Sequence, residues 1–410
     1  MTTRDKEERQ ENLASLAAPV PSVRALGVTR PNARGEGSGA LRSDSAEPSP
    51  RRRGSERLHS PVQQEKVASL RAQLHALPKI DLHRHLEGSL RLETLSEIAQ
   101  EHGIDLPSYD IEYLRRFATV TTDERPDFRL FMAKFAFLRR FYPTQAAVER
   151  VAYEAVADAA ADNIKYLELR FNPVAPARQQ GFLLDEVVEW VCSAVTKAQR
   201  DHDINVKLIL QIDRSGSLDM ASQIADIAMA YRDRGVVGLD LAGYEVGYPA
   251  RRFADIFQRA RREGLGITVH AGEEGGAENV REAIELLKAQ RIGHGVRSIE
   301  NSDVIHLIRG HSVTLEVCPT SNLQTAVVRR FWQHPLSDLL ALNLRVTINT
   351  DDPSISDTTL TDEYMIAMLA IGITLDQIKH MILTGIAGSF QPPDERRELA
   401  QWFQKELGLV

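Results

Sequence analysis

A chain of 410 residues that is 43% hydrophobic can bury a large core, enough for one large α/β barrel or two ordinary domains. A formal net charge of −7 leaves no basic surplus to release counterions, which argues against nucleic acid as an obligatory partner. Two cysteines, Cys192 and Cys318, are too few for a disulfide scaffold or a cysteine-built zinc site. With no apolar run of about 18 residues and no signal-peptide core, the expectation is a cytoplasmic protein without a membrane partner.

Residues 1–62 are rich in Arg, Ser, Pro, Gly and Glu, with no aromatic residue and no sustained apolar period. Such a segment cannot bury enough surface to offset its ordering entropy, so it reads as a disordered extension. The cluster Arg51-Arg52-Arg53 reads as part of a solvated tail rather than an address. The folded domain is expected over residues 63–410.

From Lys79 onward, short apolar runs follow one another in the manner of parallel strands buried on both faces. They are KIDLHRH (79–85), IKYLELRF (164–171), VKLILQID (206–213), VVGLDLAG (236–243), GITVHAGE (266–273), RIGHG (291–295), VTLEVCP (313–319) and RVTINTDD (345–352). Helical periods lie between them: Phe253, Ile256, Phe257 and Ala260 step at i, i+3, i+4 and i+7, as do Val280, Ala283, Ile284 and Leu287. Gly264 and Gly266 read as the helix stop before the fifth strand. Eight βα units without a glycine-rich dinucleotide turn after the first strand favour a (β/α)8 TIM barrel over an open doubly wound sheet. The stretch between the first two strands is too long for one helix, so extra helices are expected there and again over residues 361–410. Within that insertion, Phe131 and Phe135 could wall the pocket mouth against a flat ligand, or serve as ordinary helix core.

The polar residues fall at one end of these strands. His83 and His85 are two apart and so project to the same face, where both imidazoles can meet one ion. His270 offers a third nitrogen and Asp351 a carboxylate, a set suited to one Zn²⁺ with room for water. Glu273 follows His270 by three residues, near the metal but poorly placed to bind it, which suits proton transfer. His294 is a further inward group that could hydrogen-bond the nucleophile or take its proton. Asp352, next to Asp351, points elsewhere and could meet a substrate nitrogen. Glu168, Arg170 and Glu316 also lie on predicted strands, where inward polar packing is preferred over support of the metal site.

Together PKIDLHRHLEGS, DLAGYE, VHAGE, RIGHG, CPTSNLQT, HPLSDLL and NTDDPSISDTTLTDEY resemble the adenosine/AMP deaminases of the amidohydrolase superfamily. The resemblance runs from Lys79 nearly to the C-terminus. It implies a (β/α)8 barrel with one catalytic zinc held by His83, His85, His270 and Asp351, and a small-molecule purine substrate. It makes Glu273 the acid that protonates purine N1, His294 the partner of the attacking hydroxide, Asp352 the contact to N7 and Gly243 a backbone contact to N3. Two positions depart from many adenosine enzymes: Glu87, placed to reach the ribose 5′-hydroxyl, stands where Asp is frequent, and so does Tyr244. The expected reaction is hydrolytic deamination of adenosine or deoxyadenosine, with aminodeoxyfutalosine or adenine as the alternative. AMP ranks last, because no added cationic phosphate clamp is visible. A non-catalytic nucleoside-binding barrel would have lost ligands or Glu273, and a binuclear site would want a bridging Lys on the fourth strand; the sequence shows neither departure. Nothing in it reads out an oligomeric state.

Overall fold

A computed structural model describes residues 61–409, with side chains from residue 64. The expectation for residues 1–62 therefore falls almost wholly outside the described residues. The chain divides into two units, Met1–Ser69 and Leu70–Val410; of the first, the described part is the start of a helix over Pro61–Ala76. The second unit holds all the strands of the described residues.

Eight strands form one sheet in sequence order: β1 (Lys79–His85), β2 (Ile164–Phe171), β3 (Asn205–Asp213), β4 (Val236–Ala242), β5 (Gly266–Ala271), β6 (Arg291–His294), β7 (Thr314–Val317) and β8 (Arg345–Ile348). Every neighbouring pair is parallel, and the strands are buried almost throughout. Both faces are covered, which is why they read as continuous apolar runs rather than alternating ones. Between β8 and β1 the sheet closes through a single parallel bridge, Arg84 with Asp351. His85 N–H donates to the Asp351 carbonyl and Asp351 N–H to the His83 carbonyl, each at 2.8 Å. The fold is the expected (β/α)8 barrel, and its seam runs through the residues of the polar cluster.

Several sequence runs overshoot the strands at their C-terminal ends. Ladder pairing stops at Ala242, Ala271, His294 and Ile348, and left-handed backbone follows at or just after each: Gly243 (φ 95°), Gly272 (69°), His294 (59°) and Asp351 (61°). A positive φ takes the chain out of the ladder, and Glu273 and Asp352, which follow Gly272 and Asp351, are buried there. For His294 and Asp351, which carry a Cβ, this conformation is costly and persists only where the surroundings enforce it.

The insertion after β1 holds helices over Leu92–His102, Ile111–Ala118, Phe128–Leu138 and Gln145–Ala161, as anticipated. After β8 come Pro353–Ser356, Leu360–Ile366, a π-helical turn Ala367–Ile371, Leu375–Gly388 and Pro393–Glu406. Leu375–Gly388 packs across β8 and β1 and covers the seam.

One expectation is corrected. Gly264, with φ 94°, ends the helix Ala254–Arg262, but Gly266 is already the first residue of β5. Its missing side chain serves packing: a Cβ there would lie 2.2 Å from Cγ of Phe390, the ring that plugs this end of the barrel. The Arg291 guanidinium stacks over the same ring, 3.6 Å from its centroid. Gly266→Ala should therefore lower the unfolding free energy by about 1–3 kcal/mol in denaturant titrations. Combined with Phe390→Ala, its cost should be less than additive, because the second change removes the clash.

Candidate active site

At the C-terminal ends of β1, β5 and β8, the ring nitrogens of His83, His85 and His270 and a carboxylate oxygen of Asp351 lie within 4.8 Å of one another. All four residues are at most 6% exposed. His83 Nε2 is 3.3 Å from His85 Nε2, which is 3.3 Å from His270 Nε2. Asp351 Oδ1 is 3.2 Å from Nε2 of both His83 and His85.

The outward nitrogens settle what the inward ones present. His83 Nδ1 meets Glu316 Oε2 at 2.8 Å, His85 Nδ1 meets Gln211 Oε1 at 2.8 Å, and His270 Nδ1 meets Asp240 Oδ1 at 3.0 Å. Facing acceptors, all three Nδ1 atoms carry hydrogen, so each neutral ring turns an Nε2 lone pair toward the others. Burial, partly offset by Asp240, lowers His270 to about 4, so its ring stays neutral. Converging lone pairs and a carboxylate oxygen repel one another unless a cation sits among them. A tetrahedron with bonds of about 2.0–2.1 Å has edges of about 3.3–3.4 Å, which the observed separations match. The donor set fits one divalent ion of the zinc type.

Behind this cluster lies a charged layer. Arg170 donates to Glu316 Oε2 at 2.8 Å and to Asp240 Oδ2 at 3.1 Å, tying the partners of His83 and His270 together. Arg291 bonds Glu316 and, at 2.6 Å, pairs with Glu168, whose other oxygen accepts from Tyr166 at 2.8 Å. Burial pushes Glu316 up, but Arg170, Arg291 and His83 outweigh it and hold the carboxylate well below its ordinary range. For Glu316 and Arg170 the preferred sequence reading is thus corrected: Glu316 orients the His83 imidazole, and Arg170 holds Glu316 and Asp240 in place. Glu168 alone remains one step removed, charge-balancing Arg291. The reason is closure, since single polar residues on strands that are not neighbours, such as β7 with β1 and β2, meet only across the barrel interior.

The neighbouring groups differ in their unmet needs. Burial, reinforced by Asp351, Glu245 and Asp352, pushes Glu273 well above the ordinary carboxyl range. Its backbone is held by Glu245, which accepts from Gly272 N–H at 3.0 Å, Glu273 N–H at 2.8 Å and Asn279 Nδ2 at 2.8 Å. His294 Nε2 stands 3.4 Å from Glu273 Oε2 and 3.8 Å from Asp351 Oδ2. Asp352, raised by burial and by Asp351 and Glu87, has a buried Oδ1 without a partner. Gly88 must lack a side chain here, since a Cβ would lie 1.9 Å from that oxygen. Glu87 accepts from Asn172 N–H at 2.8 Å and leaves its second oxygen buried and unpartnered.

Gly243 follows β4 at φ 95°, and a Cβ would lie 3.0 Å from Asp213 Oδ1. Phe131 and Phe135 are buried on the Phe128–Leu138 helix with ring centroids 6.2 Å apart, and this helix packs on the Glu87–Ser89 turn. Tyr244 meets Phe128 edge to face at 5.6 Å, linking the β4 loop to the start of the same helix. Cys318 lies near His294 and Asp351, but burial raises its thiol well above the usual range and Sγ donates to the Glu316 carbonyl, so it is a poor second-metal donor.

Sequence reading assigned no role to Gln211, Asp240, Glu245, Asn322 or His334. The available signal was an isolated polar residue inside an otherwise apolar strand, as in LILQID and VVGLDLAG.

The profile of the adenosine deaminase family matches residues 78–406. Adenosine deaminase of Edwardsiella ictaluri (strain 93-146) is 39% identical over 322 residues, spanning 78% of this chain and 96% of that protein. Among solved structures, adenine deaminase from Arthrobacter aurescens superposes with a TM-score of 0.75 at 29% identity, covering 81% of this chain and 99% of that one. A zinc-bound amidohydrolase from Burkholderia ambifaria superposes at 0.76 with 26% identity, covering 87% and 95%.

The donor set predicts about one divalent ion per chain in the purified full-length protein by elemental analysis. His83→Ala and His270→Ala should each reduce that content sharply, and a tightly held pair of ions per native chain would contradict the single-site geometry.

Proposed function

The chain belongs to the adenosine deaminase family of hydrolases, and on that premise we propose that it hydrolyses adenosine and deoxyadenosine to inosine or deoxyinosine and ammonia. The observation that carries this reading is the buried pair of Glu273 and His294 beside the His83–His85–His270–Asp351 cluster. We take those four residues to hold one zinc ion. A zinc ion bound there supplies Lewis-acid activation of water near neutral pH.

The remaining work falls to the protein's own groups. Glu273 arrives protonated, because burial and neighbouring carboxylates disfavour its charge. It delivers that proton to N1 of the purine, drawing electron density from C6 as water oxygen bonds there. Of the water's two protons, one passes to the amino group, so that ammonia leaves as the C6–N bond breaks and the C6 carbonyl forms, and the other returns Glu273 to its acid form. Asp352, also favoured in its protonated form, donates to N7, an acceptor, and so uses its unpartnered oxygen. Gly243 lets the backbone approach N3 closely. Glu87 offers its free oxygen to the 5′-hydroxyl, while Phe131 and Phe135 exclude water above the ring.

Adenosine is favoured over adenine by the curated relatives, such as the Edwardsiella enzyme, and by a free carboxylate oxygen on Glu87 that a bare base would leave unpaired. A second reading, a 6-aminopurine compound carrying a different 5′ group, is favoured by Tyr244, whose contact with Phe128 puts an aromatic ring at the mouth.

Two measurements test the assignment. Following loss of the adenine chromophore with adenosine, deoxyadenosine, adenine, AMP and aminodeoxyfutalosine should give the highest kcat/KM for the first two; a marked preference for adenine or aminodeoxyfutalosine would overturn it. Glu273→Gln should lower kcat by about 10²–10⁴-fold while zinc content stays at the native level. Full activity in that variant would remove Glu273 from the acid role.

A further inference from the structure

His294 can serve a reaction in two ways. With hydrogen on Nε2 it donates to an oxygen in the site; with hydrogen on Nδ1 it turns a lone pair inward and accepts a proton. A chain of buried groups behind the ring distinguishes these states. Leu336 N–H, at the start of the helix Leu336–Ala341, donates to His334 Nδ1 at 3.1 Å. His334 Nε2 lies 3.2 Å from Asn322 Oδ1, and Asn322 Nδ2 lies 3.1 Å from His294 Nδ1. Asn322, His334 and His294 are 0%, 3% and 1% exposed.

The chain has one consistent assignment, and it is anchored on a backbone N–H that cannot become an acceptor. Because His334 Nδ1 receives that hydrogen, the neutral ring must carry its own on Nε2. Burial lowers His334 to about 3, so the doubly protonated ring, which would set donor against donor at Leu336, is not formed near neutral pH. His334 Nε2–H therefore donates to Asn322 Oδ1, which orients the amide with Nδ2 toward His294. An amide nitrogen only donates, so His294 Nδ1 must accept. Flipping Asn322 would leave His334 with two accepting nitrogens and no hydrogen, a state a neutral imidazole cannot adopt.

We propose that Asn322 and His334 are positioning residues that fix His294 in its Nε2–H form, so that it enters the reaction as a hydrogen-bond donor to the oxygen nucleophile and not as its base. Relayed from one helix-terminal N–H, the preference is built before any substrate arrives. Its importance to turnover rests on the proposed function; the tautomer itself does not.

The test uses full-length protein labelled with ¹⁵N-histidine and a two-bond ¹H–¹⁵N correlation, with His294 assigned by its disappearance in His294→Gln. His294 should carry hydrogen on Nε2 in the native protein, metal-loaded or metal-stripped. The same should hold in His334→Gln, whose amide can still donate to Asn322 Oδ1. Asn322→Asp replaces the donor by a carboxylate, which His334 keeps ionised, and should move the hydrogen to Nδ1. In that variant kcat should fall about 10²-fold, as for loss of one preorganised donor, with KM for adenosine and metal content near native. Hydrogen on Nδ1 in native protein, or an unchanged tautomer in Asn322→Asp, would overturn the proposal. The native spectrum decides even if Asn322→Asp does not fold. An Nε2–H ring in a protein inactive on every purine tested would strike the proposed substrate reading alone.

Discussion

The seam between β8 and β1 is the constraint on which this molecule turns. Two backbone hydrogen bonds join Asp351 to His83 and His85, so the peptide units that close the barrel belong to residues of the polar cluster. Closure and assembly of the site are one event. A chain that fails to bring β8 to β1 has neither a continuous barrel nor a fourth donor. The left-handed φ of Asp351 is the local cost, held by the bonds on both sides of it and by Leu375–Gly388 packed across the seam.

Electrostatics extends this dependence through the barrel interior. Imidazoles whose Nε2 atoms face one another need their hydrogens fixed on the far side, and Glu316, Asp240 and Gln211 do this. Buried carboxylates need positive partners in turn, and Arg170 and Arg291 supply them. Removing one member would leave an uncompensated charge in low dielectric, which costs more than the pair contributes when whole. The interior is therefore an interlocked set, from the cluster at one end to Phe390 beneath Arg291 at the other.

Some buried polar atoms of the described residues have no hydrogen-bond partner in the protein, Glu168 Oε2 and Arg170 Nε of the charged layer among them. Glu87 and Asp352 each keep such an oxygen at a residue that the proposed function assigns to the substrate. In native interiors such atoms are met by water, an ion or a ligand. The cluster relates to the chemistry and these oxygens to recognition, and the two meet where the Asp352 carboxyl adjoins that of Asp351.

Much of this was legible along the chain because the relevant signals are local. Strand runs buried on both faces, the i, i+2 spacing of His83 and His85, and the abrupt polar endings of VHAGE and NTDDP all come from short-range periodicity, and they predict both barrel and donor set. The same holds for the insertion after β1, whose length makes a structureless loop improbable and extra helices expected. What the chain could not display are relations between residues far apart in it. Glu316 is 233 positions from His83, and its role appeared only when β7 and β1 faced each other across the interior. Gly266 reads as a helix stop until Phe390 arrives from the C-terminal region to fill its missing Cβ. Which nitrogen of His294 bears hydrogen is set by Asn322, His334 and the N–H of Leu336. Residue type and spacing determine which chemistry is available; hydrogen-bond direction, protonation and steric exclusion depend on neighbours in space, and only the closed barrel supplies those.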